Sequence, residues 1–471
     1  RFIVRNLSYA TGFAAPLTAQ TPATGPRARE VARVIGALVA DGPTLGPAIW
    51  PDYRPDSIPM LVRFGDDGAL LFGWRGRPPT GFEASPFPGA LHRAGNDPSA
   101  ANTSIELDHR QVAQFAAGSL DSAALRGLAA HEAFHAFQRT VAKVGRRFGQ
   151  GENAFLVTQY PVFDTDNDAG FFLELALLRD ALLAPGREDA ARFAREYVAA
   201  REWRHRRLEA RLAEFEQQAE LNEGLAEYAL VRARYADPAE GAKRLAERLV
   251  ELPSQVERSI RLRYYVTGAA SALLLDRLAS PGWKAALVRE NRTLQDALAE
   301  ATGFRAAERE LLARAGSRHG PEDLAERARE GIDRLRSSRR AVADSLLAQP
   351  GLRLVLAFGE RWTGLCGIDP QNLLPAGAGR FLHTRWVHLC SGDRIDGEFT
   401  TGSVEDRQAG TWTAVIGPAS DVTLRSAGER VEPGAEPVGL ERVELASALA
   451  SFRFAAARVS ASGGELRIEL P

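Results

Sequence analysis

The sequence predicts an α+β chain: a mainly helical core that carries a small N-terminal β-sheet, followed by a separate all-β C-terminal domain. Three observations predict it. Residues 44–110 are rich in Pro and Gly and hold short β-like runs. From residue 122 to 348 the apolar residues recur at helical spacing with few breakers. Beyond Pro350-Gly351 the pattern becomes strand-like alternation. A chain of 471 residues is long enough for two or three domains, and its 45% hydrophobic and 25% charged fractions are those of a folded globular protein.

In chain order, residues 1–30 read as a leader or a disordered arm. Arg1 and Arg5 supply positive charge, and a mildly apolar stretch ends at Leu17-Thr18-Ala19-Gln20, as in a secretory leader cut after Ala19. Residues 31–349 form the core domain, with a short helix expected over 28–40 at its start. The small sheet draws on 60–64, 69–74 and 103–107, with a hairpin turn at Asp66-Asp67-Gly68. A helix starts at Ser122, and helices then fill 122–348. The stretch 187–234 is dense in Glu and Arg at i, i+4 spacing, which places Arg204, Arg206 and Arg207 on a solvated helix face. Residues 350–471 read as a small barrel or sandwich, with strands at 352–358, 384–390, 411–416, 451–459 and 465–470. Gly463-Gly464 fits a hairpin turn between the last two.

The charge balance excludes some partners. The net charge is −1, which gives no pull toward nucleic acid or an acidic membrane surface. No apolar run approaches the roughly 18 residues that span a bilayer, so no transmembrane segment is expected. Nearly all the positive charge is Arg and there is 1 Met, which resembles the coding bias of a GC-rich bacterium. Cys366 and Cys390 stand far in sequence from the H-E-x-x-H at 131–135; in an exported protein they can form one disulfide, and otherwise they are two small buried hydrophobes. The leader-like start suggests secretion or a periplasmic location, with the cytoplasm the alternative. The oligomeric state is left open.

The chemistry concentrates in His131-Glu132-Ala133-Phe134-His135, an H-E-x-x-H within a run of good helix formers. Positions i and i+4 share a helix face, so the two imidazoles can grip one ion. Glu132 lies about 100° round the helix from His131, where a carboxylate can take a proton from a water on the ion. A catalytic zinc needs a third protein ligand. Three carboxylates compete for it: Glu223, Glu227 one turn later, and Glu174, a lone acid in an apolar helix that needs either the metal or an Arg. Glu227 can instead orient a ligand His.

The segment Leu221-Asn222-Glu223-Gly224-Leu225-Ala226 resembles the L-N-E-G-x-A of the M1 zinc aminopeptidases, and thermolysin-like enzymes carry a comparable N-E segment. Both are gluzincins. The resemblance implies a zincin-like metallopeptidase core, with His131, His135 and Glu223 as zinc ligands and Glu132 as general base. It implies zinc-dependent hydrolysis of a peptide or protein substrate. Tyr265-Val266-Thr267-Gly268 resembles the Y-x-K-G of the same family, whose Tyr stabilises the oxyanion; Tyr264 is an equally placed rival. The chain departs from the family in three places. A long, mostly helical insertion separates His135 from Glu223, Thr267 stands where the family has Lys, and no G-x-M-E-N segment precedes the His pair. Only Gly151-Glu152-Asn153, after it, echoes that segment. A zincin-fold scaffold without turnover, or a zinc hydrolase of another amide, are the alternatives. Residues 103–107 stand where zincins have an edge strand, which a peptide could join by backbone hydrogen bonds.

Three lesser signals remain. Asp164-Thr165-Asp166-Asn167-Asp168 looks like the start of a calcium loop, but Ala169 and Leu175 stand where such a loop needs Gly and Glu, so a helix-capping turn is expected. His388 and Cys390 share a strand face but lack a third metal ligand. His383 reads as a surface or interface strand residue.

Overall fold

The computed structural model describes residues 3–4, 25–64, 68–94, 102–255, 260–305, 309–358, 364–369 and 372–470. Most of the arm 1–30 and the turn residues Asp66-Asp67 lie outside them. Ile3–Val4 form a two-residue strand, β1, and helix α1 runs Pro26–Ile49. α1 is longer at both ends than the 28–40 expected and contains Pro43 and Pro47. Its second half presents Gly42 and Gly46 to the chain that follows. A Cβ on Gly46 would stand 2.2 Å from the Tyr53 carbonyl oxygen, so the close approach requires glycine there.

The N-terminal sheet contains β2 (Met60–Arg63), β3 (Ala69–Phe72), β4 (Glu83–Ala84), β5 (Ala90–Arg93), β6 (Thr103–Leu107) and β7 (Arg110–Ala116) in the order β4-β5-β3-β2-β7-β6. β2 and β3 pair antiparallel, as the hairpin reading requires, and β2 and β7 run parallel. Met60, Val62, Leu70 and Phe72 face the main core, while Leu61, Ala69 and Leu71 pack on the other face. This is the period-2 alternation of a sheet covered on both sides. β6 lies at the edge.

β7 leads directly into α2 (Ser122–Val141), which carries the H-E-x-x-H. The helix begins where expected, but its cap is Asp121, whose carboxylate accepts from the Ala124 amide at 2.7 Å. There follow α3 (Thr165–Leu183), α4 (Arg187–His205), α5 (Ala210–Ala219), α6 (Leu225–Arg234), α7 (Pro238–Glu251), α8 (Leu262–Leu278), α9 (Trp283–Arg289), α10 (Leu294–Thr302), α11 (Arg309–His319) and α12 (Pro321–Leu347). Residues Glu220–Gly224 form a π turn joining α5 to α6. Among the described residues, no helix is long and apolar enough to cross a membrane.

The expectation of a wholly solvated Glu/Arg face over 187–234 is corrected. Arg206 and Arg207 are exposed, but Arg204 is buried with Glu174 and Glu216, its Nε 2.5 Å from Glu174 Oε1 and its Nη1 2.7 Å from Glu216 Oε1. Spacing along one helix cannot tell which Arg meets carboxylates carried by α3 and α5. The Asp164 side chain accepts from the Asp166 and Asn167 amides and caps α3, so the acidic run is a capping turn.

The C-terminal domain is all β: β8 (Arg353–Ala357), β9 (Leu365–Ile368), β10 (Leu373–Gly377), β11 (Arg380–His383), β12 (Val387–Ser391), β13 (Ile395–Phe399), β14 (Ser403–Asp406), β15 (Thr411–Val415), β16 (Thr423–Ser426), β17 (Glu429–Arg430), β18 (Val438–Ala446), β19 (Ala450–Ser462) and β20 (Glu465–Glu469). The main path runs β1-β9-β12-β13-β19-β20-β8-β15-β14-β11-β10. Ile368 and Val387 near one end share a single apolar core with Leu373 and Phe381 at the other, so the sheet curls round on itself. Gly463 and Gly464 both have positive φ, the requirement of a type I′ hairpin turn. α12 joins the domains: its Val342, Ala343 and Leu346 pack on Leu374, Leu382 and Val404 of β10, β11 and β14.

One open alternative is decided here and one further expectation changes. Cys366 and Cys390 form a disulfide, and His388 pairs with Asp396 at 2.8 Å, so neither His388 nor Cys390 is free for a metal. His383 is not on the surface. It is 1% exposed, 3.3 Å from Glu405 and against the Trp412 ring, because its side of β11 faces the curled interior.

Candidate metal centre

Helix α2 turns His131, His135 and Gln138 into the core on one face. The π turn brings the third group. A π turn widens the helix by one residue and redirects the side chains within it, and such turns recur at functional sites. Gly224 lets the turn lie against α8: a Cβ there would stand 2.6 Å from Gly268 Cα and 2.9 Å from the Tyr264 carbonyl oxygen. Gly268 is constrained in the same way from the other side. The two glycines of the L-N-E-G and Y-x-x-G segments are thus one backbone contact, and that contact seats Glu223 opposite the His pair.

The three donor atoms converge. His131 Nε2 and His135 Nε2 are 3.1 Å apart, and Glu223 Oε2 is 3.2 Å from the second and 3.7 Å from the first. Tetrahedral ligands about 2.1 Å from an ion stand about 3.4 Å from one another, and the observed spacings bracket that value. Among the described residues these three form the only His, Cys, Asp or Glu group placed to hold a metal ion.

The surrounding groups fix the donors. His135 Nδ1 meets Gln138 Oε1 at 3.0 Å, which sets that nitrogen as donor and leaves Nε2 with a free lone pair. The Gln138 amide in turn donates to the Leu221 carbonyl at 2.9 Å, tying the metal helix to the π turn. Glu227 Oε2 lies 3.5 Å from His131 Nδ1, on the far side of that ring, and its other oxygen binds Arg248. Glu227 therefore orients His131 rather than facing the ion. Glu174 is absent from the site, held by Arg201 and Arg204. Of the three carboxylates the sequence left open, Glu223 is the one that faces both Nε2 atoms.

Sequence reasoning missed the residues behind Glu223. Arg261 places Nη2 on Glu223 Oε1 and Nε on Glu152 Oε1. Asn222 Nδ2 donates to Glu152 Oε2 at 2.8 Å and to Glu223 Oε1 at 3.2 Å. Glu223 thus has one oxygen tied and one turned to the His pair. Gln138 was legible as i+3 from His135 on the same face; Glu152 and Arg261 had no local signal beyond the Gly-Glu-Asn echo.

Tyr265, not Tyr264, reaches the site. Its ring stacks on His131 at 5.8 Å between centroids, and its hydroxyl accepts from Arg261 Nη1 at 3.4 Å. Tyr264 points the other way and packs edge-on against Phe215. Consecutive helix positions differ by about 100°, so only one of the two can face the metal helix. Thr267 occupies no part of the site: its hydroxyl donates to Glu220 at 2.5 Å.

Glu132 is fully buried, and neither carboxylate oxygen has a hydrogen-bond partner among the described residues. An orphaned buried carboxylate is costly, and its presence beside a donor cluster fits a site completed by a ligand. Burial pushes its carboxyl up to about 7, against the pull of His131 and His135. Burial would lower the metal-free His131 ring, but Glu223 and Glu227 outweigh it and hold its pKa at about 10. Burial would raise the Glu223 carboxyl, but Arg261 and His135 hold it well below the usual range, as a metal-ligating oxygen requires. At the sheet edge, the Ser104 carbonyl of β6 accepts from Arg139, one turn after His135, so β6 runs beside the metal helix.

No family model, no curated protein and no solved structure matches this chain.

Proposed function

We propose that this chain is a zinc-dependent hydrolase of peptide bonds, of gluzincin type. The observation that carries the reading is the convergence of His131, His135 and Glu223, the last two 88 positions apart, beside the unpartnered carboxylate of Glu132. Two imidazole nitrogens and one carboxylate oxygen are the donor set of a catalytic zinc with an open fourth position. Imidazole donors favour zinc over the oxygen-seeking magnesium and calcium. When bound, zinc supplies Lewis acidity, polarising a carbonyl and lowering the pKa of a water toward about 7.

The chain's own residues do the rest. Glu132, buried beside the His pair with both oxygens unpartnered among the described residues, takes a proton from the attacking water and delivers it to the leaving amine. Tyr265, steered by Arg261, donates a hydrogen bond from its hydroxyl to the developing oxyanion. An extended peptide adds to the open edge of β6, beside the metal helix. The Cys366–Cys390 bond supports an oxidising compartment, secreted or periplasmic.

One observation favours a second reading, a scaffold that keeps its metal without turnover: His131, Glu132, His135 and Tyr265 are all at most 8% exposed. Elemental analysis of the purified chain, run beside cleavage of a broad peptide library, separates the two. Hydrolysis that falls at least about 100-fold in Glu132→Gln, with about one zinc per chain retained, supports the peptidase. Zinc without any cleavage supports the scaffold. A chain that takes up no zinc overturns both.

A further inference from the structure

The C-terminal domain reaches the metal centre through segment 152–163. At one end of that segment Glu152 sits buried in a closed ring of polar contacts: Glu152 to Arg261, Arg261 to Glu223, Glu223 to Asn222, and Asn222 back to Glu152. Asn222 and Glu223 come from the π turn, and Arg261 from the start of α8. Only Glu152 comes from outside those helices. Three residues later Phe155 packs against the apolar core of the β domain. Further on, Val157, Tyr160 and Val162 join Ile260 and Tyr264, the neighbours of Arg261 and Tyr265, in a separate cluster with Phe215 and Leu335. The Tyr160 hydroxyl donates to Glu216 at 2.5 Å, and Phe163 lies under Gly377 of β10.

We propose that the β domain is a positioning element of the metal site: through segment 152–163 it holds Glu152 against Arg261 and Asn222, and so fixes which oxygen Glu223 turns to the ion. The inference rests on the metal-centre reading. Its physical basis is the buried guanidinium of Arg261. That charge is satisfied by Glu152 and Glu223 together, and without Glu152 it would draw on both oxygens of Glu223. Phe155 sets where Glu152 sits because only Asn153, which caps the short 3-10 helix, and Ala154 stand between them.

The test uses the full chain and zinc alone. Zinc affinity is measured by competition with a chromogenic chelator, and thermal unfolding is followed on the metal-free protein. Glu152→Gln and Phe155→Ala each weaken zinc binding by about 10-fold, the second through its packing on the β-domain core. Phe155→Leu, which keeps the packing, restores affinity. The double variant binds no more weakly than Glu152→Gln alone, because both changes act through the same contact. The visible band of the cobalt-substituted protein shifts in Glu152→Gln, because Arg261 then draws on both oxygens of Glu223 and weakens the one turned to the ion. Variants that melt cooperatively with wild-type zinc affinity overturn the coupling, as does an additive double variant. If Phe155→Ala does not fold, Phe155→Val is read by the same criteria. A wild-type chain that binds no zinc overturns the metal centre itself and this inference with it.

Discussion

Gln138 does two jobs with one amide. Its oxygen fixes the His135 tautomer and its nitrogen binds the π turn, so it couples ligand orientation to the placement of Glu223. Replacing it by Ala removes both contacts from a buried position. We expect Gln138→Ala to weaken zinc binding by about 10-fold or more, with a smaller loss of stability in the metal-free state. Chelator competition on the variant checks this; unchanged affinity would mean that the Gly224–Gly268 contact, Arg261 and Asn222 position Glu223 without it. Glu227 shows the same logic from the other side, since its carboxylate faces the back of His131 and its partner Arg248 holds it there.

Among the elements, the π turn is the one on which the site depends. Glu220 at its start is held by Arg201 at 2.8 Å and Thr267 at 2.5 Å, and Gly224 at its end lies against Gly268. A methyl group at Gly224 has no room, because the atoms it would meet are backbone rather than a flexible side chain. Gly224→Ala is expected to cost on the order of 2 kcal/mol or more of stability and to lower zinc affinity further by displacing Glu223. Denaturant unfolding of the metal-free chain, together with zinc titration, measures the two effects. Wild-type values for both would show that α8 can move aside.

Across the whole molecule, a buried ionic cluster ties α3, α4, α5 and the π turn together: Glu174, Arg201, Arg204, Glu216 and Glu220, with Tyr160 from segment 152–163. Such a cluster holds only while its charges stay paired. Burial would raise Glu216, but Arg204 and His205 hold its carboxyl well below its ordinary 4.5. A depressed folded-state pKa contributes stability that is fully present above the unfolded value and is lost as pH falls toward the folded one. The helical domain is therefore expected to lose stability progressively from about pH 5 downward. Urea midpoints taken across that range check it, and a flat profile would show that the cluster adds little. At the same scale, α12 and segment 152–163 join the β domain to the helical core, which makes the β domain part of the site's support.

Several features were legible in the sequence because they are local. The H-E-x-x-H needs only i, i+4 geometry to place two imidazoles on one face, and α2 carries them so. Short β-like runs marked β2, β3 and β6, strand-like alternation marked β8, β12, β15, β19 and β20, and the Pro350-Gly351 break marked the change of architecture. Short or weakly alternating strands such as β4, β5, β9 and β17 gave no such signal. Other questions turned on contacts between elements distant in the chain. Which carboxylate meets the His pair depends on a π turn and on two glycines 44 positions apart in different helices. Whether Tyr264 or Tyr265 faces the metal helix depends on the rotation of α8, and the burial of Arg204 on carboxylates from α3 and α5. By itself the sequence determined the metal helix and the chemistry its residue types allow. Only the tertiary structure decided which carboxylate meets the His pair and which groups hold it, because side-chain periodicity fixes a residue's face on its own element but not what another element brings against that face.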